Sequence, residues 1–524
     1  MRRGWVAVVA VLVVLGLVVA LGLAALVALR NDDDQTASPP SPAPVTSASS
    51  DDRAMPETDP ALAAYYDQTL TWTPCDDGND CAQMLVPLDY QKPGGRSIEL
   101  SLLRVSAADP GARIGSLVVN PGGPGASGKQ YAAAATTVFR DALTDHYDIV
   151  GFDPRGVGDS AAIDCLTDDQ LDAYLAADPD PDTPAEIAEV ERQATEFGTG
   201  CVRRSGALAG HVSTVESARD MDVLRGVLQE PALDYFGASY GTELGATYAQ
   251  LFPANVGRFV LDGAVDLGLD TREADLQQAA GFETALRSYV ANCVDSGDCF
   301  LGDTVDEGIK TIQDLLADID ADPLPAGDRE LTVGNAFYGL ITPLYSRDYW
   351  ILLSGALKSA QAGDGTALMT LADAYASRGP GGYTDNSIEA NLDINCLDDP
   401  LSVPVARIPR EFPAFEKASP TFGRAFAYSL VSCHGFTPRA GEPAPHTHAD
   451  GAAPILVIGT TRDPATPLKW AQAMARQLSS AILVTRDGDG HTGYNSDNDC
   501  VDTTVEDYLV SGTVPTADVD CPAE

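Results

Sequence analysis

Residues 233–253 read LDYFGASYGTELGATYAQLFP, and this stretch decides the fold. LDYF is a short apolar run of the strand type, and TELGATYAQLF has helical spacing. Between them lies Gly237-Ala238-Ser239-Tyr240-Gly241, the one G-x-S-x-G in the chain. A serine held on a sharp strand-to-helix turn presents its hydroxyl at the end of a sheet. Glycines on either side remove side chains where such a turn packs against its neighbours. The new helix directs its N-terminus, and the positive end of its dipole, at the same spot. Without that context the motif would be only a glycine-rich packing turn.

Working outward, further continuous apolar runs predict strands at 98–105, 116–120, 147–153, 258–265, 454–459 and 481–485. Continuous rather than alternating runs suit strands buried on both faces. Helical patterns lie between them, including 214–229, 242–251 and 470–478. Strands alternating with helices predict a mostly parallel α/β sheet. Two stretches break the rhythm. Residues 161–210 are acidic and helix-like, and residues 267–440 have helical patterns but few strand runs. The second is long enough for a helical cap inserted between sheet strands.

A serine nucleophile needs a base, an orienting acid and donors for an oxyanion. Asn120-Pro121-Gly122-Gly123-Pro124-Gly125 follows the run SLVV, and a bare turn there can aim the Gly123 N–H at a substrate oxygen. With the Tyr240 N–H it would form an oxyanion hole. Of six histidines, His491 alone lies in a loop directly after the last strand-like run, in Asp489-Gly490-His491-Thr492-Gly493-Tyr494. His446 and His448 sit in a surface-type loop, and His434 adjoins Cys433. The acid is expected just past the preceding strand, where ILVIGTTRDPATP supplies Asp463. Asp487 and Asp489 are rivals, but they lie on the His491 loop itself. Ser239, Asp463 and His491 then follow the chain order Ser…Asp…His of this fold class. No metal or organic cofactor is required by such a set.

The chain has 524 residues with a formal net charge of −43, and 44% of its residues are hydrophobic. That apolar content is enough for a sizeable core, and the acidity argues against nucleic-acid binding. Ten cysteines, none in C-x-x-C spacing, read as five structural disulfides formed in an oxidising compartment. Pairing sequence neighbours gives Cys75–Cys81, Cys165–Cys201, Cys293–Cys299, Cys396–Cys433 and Cys500–Cys521. Residues 4–29 are uncharged and flanked by Arg2, Arg3 and Arg30, as in a signal anchor or signal peptide that exports the rest. The anchor, if uncleaved, ties the protein to the membrane. Residues 31–59 are rich in Pro, Ser, Thr and Asp, a composition too polar to fold.

Taken together, the blocks VVNPGGPGASG (118–128), YDIVGFDPRGVGDS (147–160), YFGASYGTELGATYAQLFP (235–253), RFVLDGAVD (258–266), ILVIGTTRDPATPLKWAQAMARQL (455–478), GHTGYN (490–495) and VEDYLVSGTVP (505–515) resemble the exported actinobacterial α/β-hydrolases of the tripeptidyl aminopeptidase type, relatives of the prolyl aminopeptidases. The resemblance covers most of residues 62–524. It implies an α/β-hydrolase fold with core residues 60–266, a helical cap over 267–424 and a C-terminal core segment over 425–524. It also implies Ser239 as nucleophile, Asp463 as orienting acid, His491 as base, and a peptide substrate with a free amino terminus. An esterase or lipase with the same three residues is the alternative. Pro121 stands where prolyl aminopeptidases carry a His, which leaves the backbone role of Gly123 intact. Asp153-Pro154-Arg155-Gly156 reads as a structural strand-end turn. Asp266 and the segment 395–398 offer acids for a substrate ammonium.

Overall fold

The computed structural model describes residues 54–75 and 78–524. The candidate anchor and most of the linker lie outside the described residues. Among the described residues, no helix is long and apolar enough to cross a membrane.

Ten strands form one sheet: β1 (Thr73–Pro74), β2 (Asp80–Pro87), β3 (Ser97–Val105), β4 (Gly115–Asn120), β5 (Tyr147–Phe152), β6 (Leu233–Ala238), β7 (Val256–Asp262), β8 (Ile455–Arg462), β9 (Ala481–Asp489) and β10 (Val519–Cys521). Their spatial order is β1-β2-β3-β5-β4-β6-β7-β8-β9-β10. The pairs from β1 to β5 across β2 and β3 are antiparallel, and every pair from β5 to β10 is parallel. All seven predicted strands are present. β4, β5 and β6 are buried at every position, which is why their sequences lack alternation. β2 escaped the sequence reading because it alternates buried and exposed residues and includes Asp80 and Gln83. The run predicted to reach residue 265 stops at Asp262, where Gly263 turns the chain with φ +66°.

The helices that matter for the site are α1 (Gly128–Ala133), α2 (Pro184–Ser205), α3 (Thr214–Val227), α4 (Tyr240–Leu251), α5 (Thr271–Asp295), α6 (Ser387–Asp398), α7 (Leu468–Gln477) and α8 (Asp499–Ser511). The acidic stretch is helical, as expected. Thr183 and Glu186 close a reciprocal capping box at the start of α2. One apolar cluster covers the sheet face against α3, α4 and α7, and a second covers the other face against α1 and α8. Between β7 and β8 the chain adds no strand to the main sheet. It forms helices and a short hairpin (Leu324–Ala326 with Arg329–Leu331) around a separate apolar cluster that includes Phe282, Leu286, Leu340 and Leu353. This is the α/β-hydrolase fold with an inserted, mainly helical cap.

Asp153 and Arg155 brace the frame. Asp153 accepts from Ser127 Oγ, Lys129 N and Asp159 N, and fully buried Arg155 makes two bonds to Asp220 and three to backbone carbonyls. The five disulfides join the neighbours that the sequence reading paired. Such pairing belongs to an extracellular or cell-envelope protein.

Candidate active site

Ser239 lies between β6 and α4 with φ 57° and ψ −127°. A non-glycine residue is held there only at a cost that the surrounding packing must supply. Its N–H donates to Asp262 O at the end of β7 (2.8 Å), and Thr242 Oγ1 donates to its carbonyl (2.6 Å). The close turn explains Gly237: a Cβ there would lie 2.4 Å from Gly241 O. Gly122 is equally constrained, because its Cβ would lie 2.5 Å from Ala238 O and 2.9 Å from Tyr240 N. The Asn120–Gly125 turn is thereby pressed onto the serine elbow.

The two candidate oxyanion donors meet at that contact. Tyr240 is the first residue of α4, so its N–H has no partner within the helix. The Gly122 N–H is taken by Asn120 Oδ1 (2.9 Å), which leaves Gly123 as the next free donor of the turn. Among the described residues, no acceptor takes the N–H of Gly123 or Tyr240.

Asp463 follows β8, and His491 sits two residues after the end of β9. Both are buried, and His491 Nδ1 is 2.9 Å from each oxygen of Asp463. Asp463 also accepts from Ala465 N, Thr466 N, Thr466 Oγ1 and Thr492 N. An ionised carboxylate only accepts, so Nδ1 carries the proton and Nε2 presents its lone pair. His491 Nε2 is buried without a hydrogen-bond partner. Burial pulls the imidazole pKa down, but the Asp463 charge and hydrogen bond, with Asp262 behind them, carry it above the usual 6.5. The His491 ring lies against the end of β7, its Cε1 being 3.1 Å from where a Gly263 Cβ would stand, next to Asp262, whose carbonyl takes the Ser239 N–H. The structure therefore brings Asp463 and His491 into contact, and the end of β7 touches both His491 and the Ser239 N–H. Among the described residues, Ser239 Oγ has no hydrogen-bond partner.

Several site residues were missed by sequence reasoning. Asp262 ends β7, and its carboxylate accepts the N–H groups of Gly493 (2.8 Å) and Tyr494 (2.9 Å), just past His491. Full burial pushes it up to about 6. Tyr345, from the cap, accepts the His491 N–H through its carbonyl (2.8 Å) and sets its ring edge on the imidazole at 5.5 Å. Thr466 bridges Asp463 and His491 Nδ1 (3.0 and 3.3 Å). The string Asp463-Pro-Ala-Thr466 held a signal for Thr466, since Asp commonly accepts N–H groups two and three residues on.

Beyond Tyr345 a cavity of about 300 Å³ opens into the cap. Phe282, Phe337, Tyr338, Tyr375 and Phe426 contribute to its walls, with the carboxyls of Asp178 and Asp275. Asp275 accepts from Ser429 Oγ (2.5 Å), and burial pushes it up to about 7. Asp178 accepts from Asp180 N (2.8 Å) and is likewise raised to about 7, first by burial and then by neighbouring acids. The acids considered from sequence lie elsewhere. Asp266 accepts from Gln477 Nε2, and Asp398 accepts from Thr214. Among the described residues, one His/Cys/Asp/Glu group is close enough to hold a metal, Cys165 with Cys201 and Asp393, and both cysteines are in a disulfide.

Comparison with known proteins agrees with this architecture. Residues 419–521 match the family model described as TAP-like protein. Serine protease Hip1 of Mycobacterium tuberculosis is 36% identical over 477 residues, 87% of this chain and 91% of that protein. Carboxylesterase B of the same species is 37% identical over 450 residues, 84% of this chain and 86% of that one. Tripeptidyl aminopeptidase of Streptomyces lividans is 32% identical over 457 residues, with 84% and 83% covered. At these identities and coverages, the chain belongs to the actinobacterial α/β-hydrolases of the tripeptidyl aminopeptidase type and is a serine peptidase.

Proposed function

We propose that the protein is an aminopeptidase that releases short peptides or single residues from free amino termini through Ser239, His491 and Asp463. Residues 60–266 and 425–524 form its catalytic core, residues 267–424 its cap, and the N-terminal segment exports it, as an anchor or a cleaved signal. Ser239 Oγ attacks the scissile carbonyl as His491 Nε2 takes its proton. The N–H groups of Gly123 and Tyr240 receive the developing oxyanion. His491 returns the proton to the departing amine, leaving an ester on Ser239. Water, deprotonated by His491, then attacks that ester, frees the peptide acid and restores the hydroxyl.

The observation that carries the amino-terminal preference is the cap cavity that Tyr345 separates from His491. It combines aromatic rings with two carboxyls, and among the described residues neither Asp178 nor Asp275 pairs with a base. An ammonium group entering there supplies the missing charge, draws both carboxyls back to their ionised forms, and gains from the ring faces. The test compares a tripeptidyl anilide bearing a free amine with its N-acetyl form. The free form is expected to be cleaved at least tenfold better, and Asp275→Asn to raise its KM about tenfold without affecting the acetylated compound. Equal cleavage of both forms would remove the aminopeptidase reading.

The second reading is an esterase with the same three residues. It has support in the 37% identity to Carboxylesterase B, and esters are easier acyl donors than amides. Turnover of simple esters together with inert anilides would favour it.

A further inference from the structure

Helix α6 belongs to the cap segment by sequence, yet Glu389, Asn391 and Asp398, with the N-cap Asn386, hydrogen-bond to residues of the core. Asn386, its N-cap, donates to Gly156 O and Ile163 O and accepts from Gly158 N. Glu389 accepts from Cys165 N (2.6 Å) and Leu166 N (2.8 Å). Two further bonds reach residues adjoining those that carry the candidate oxyanion donors. Asn391 Nδ2 donates to Pro124 O (3.1 Å), one residue beyond Gly123. At the other end of the helix, Asp398 Oδ2 accepts from Thr214 Oγ1 (2.6 Å). That leaves the threonine oxygen to accept from Tyr240 OH, 2.5 Å away. The helix backbone also lies directly on the Gly-rich turn. A Cβ on Gly125, whose φ is +98°, would stand 2.6 Å from Ser387 O and 2.9 Å from Asn391 N.

We propose that α6 positions both donors of the oxyanion hole. Asn391 fixes the turn that carries the Gly123 N–H, and Asp398, through the Thr214 hydroxyl, fixes Tyr240 and with it the first N–H of α4. This rests on the reading of Gly123 and Tyr240 as oxyanion donors to a Ser239 nucleophile. Donors act by being fixed in advance where charge develops, so loosening them weakens transition-state binding while leaving ground-state binding alone. Asn391, Asp398 and Thr214 are positioning residues, because they act through Pro124 and Tyr240. The effect applies to amide and ester substrates alike, so it stands whichever of them the enzyme prefers.

The test uses the exported chain (residues 60–524) with Thr214→Val, Asn391→Leu and Tyr240→Phe, and Ser239→Ala as control. Each is assayed for kcat and KM on its best substrate and for inhibition by a peptidyl boronate, whose tetrahedral adduct places an oxygen in the hole. Each variant is expected to lower kcat about 10- to 100-fold and to weaken the boronate by a similar factor, with KM within twofold for Thr214→Val and Tyr240→Phe; Asn391 also lines the cap cavity, so for Asn391→Leu the kcat and the boronate affinity carry the test. Thr214→Val combined with Tyr240→Phe is expected to be no worse than either alone, since both cut one relay. Tyr240→Phe removes a single oxygen and carries the test if a larger change prevents folding. Unchanged kcat, or a loss of kcat with boronate affinity intact, would overturn the proposal. Activity surviving in Ser239→Ala would instead remove the underlying reading.

Discussion

As the proposed base, His491 is expected to set the pH dependence of the reaction. It accepts a proton only when neutral, so activity rises as pH climbs through its pKa. Burial disfavours the cation, but Asp463 at 2.9 Å and Asp262 favour it more, and the balance lies above 6.5. The acid limb of kcat/KM is therefore expected to have its midpoint above pH 6.5. Asp463→Asn is expected to move that midpoint down and to lower kcat by about 10⁴, because the imidazole loses both its tautomer lock and its counter-charge. A pH–rate profile of the two proteins checks this, and a midpoint that stays fixed in Asp463→Asn would contradict it. At this scale the sequence was informative where local context singled out a candidate. Ser239 stood between a strand and a helix, and His491 stood after the last long strand. Tyr345 was not legible, because its contact with His491 is made by a backbone carbonyl and a ring edge brought from the cap.

Among elements, the end of β7 does the most to hold the site together. The Asp262 carbonyl takes the Ser239 N–H, and its carboxylate takes two N–H groups of the His491 loop. One residue thus ties the proposed nucleophile and base to the same strand. Asp262→Ala leaves two buried donors unpaired and is expected to destabilise the fold by about 2–4 kcal/mol, with kcat lowered at least tenfold. Denaturant melts and steady-state kinetics test both parts, and full activity in a stable variant would contradict the assignment. The strand itself was readable from RFVLD, but its carboxylate was not distinguishable from other strand-end acids. The strands β1, β2 and β10, at the two ends of the sheet order, were missed for a different reason. They are short or alternate, and lack the continuous apolar runs of strands buried on both faces. Helix α6 looked like ordinary cap sequence, since its partners lie in distant loops.

At the scale of the whole molecule, burial has raised many carboxyls. Asp262 and Asp398 are pushed up to about 6, Asp178 and Asp275 to about 7, and Glu243 and Asp393 to about 8. A carboxyl whose pKa is higher in the folded state binds more protons folded than unfolded. Its contribution is fully present below the unfolded value and is lost as pH rises through the folded one. Stability is therefore expected to fall between about pH 5 and pH 8, and the net charge of −43 adds repulsion in the same direction. Tm is expected to be at least about 3 °C higher at pH 5 than at pH 8. Asp393, buried with neither oxygen hydrogen-bonded, makes a sharp case. Asp393→Asn is expected to flatten that dependence and to raise Tm at pH 8, which a pair of thermal melts measures. The parallel sheet, the cap and the five disulfides were all legible from run length, periodicity and neighbour pairing. The acids of the aromatic-walled cavity were not, because nothing local sets Asp178 and Asp275 apart from the other 74 acidic residues; Asp178 comes from the acidic stretch 161–210 and Asp275 from the cap, and only folding brings them to one cavity.

The most direct test of the catalytic assignment is covalent. The exported chain, treated with a fluorophosphonate and digested, is expected to carry one phosphonyl group on the peptide containing Ser239, with labelling abolished in Ser239→Ala and slowed by more than about 10³ in His491→Ala. Labelling of a different serine, or none in folded protein that still turns over substrate, would contradict the account.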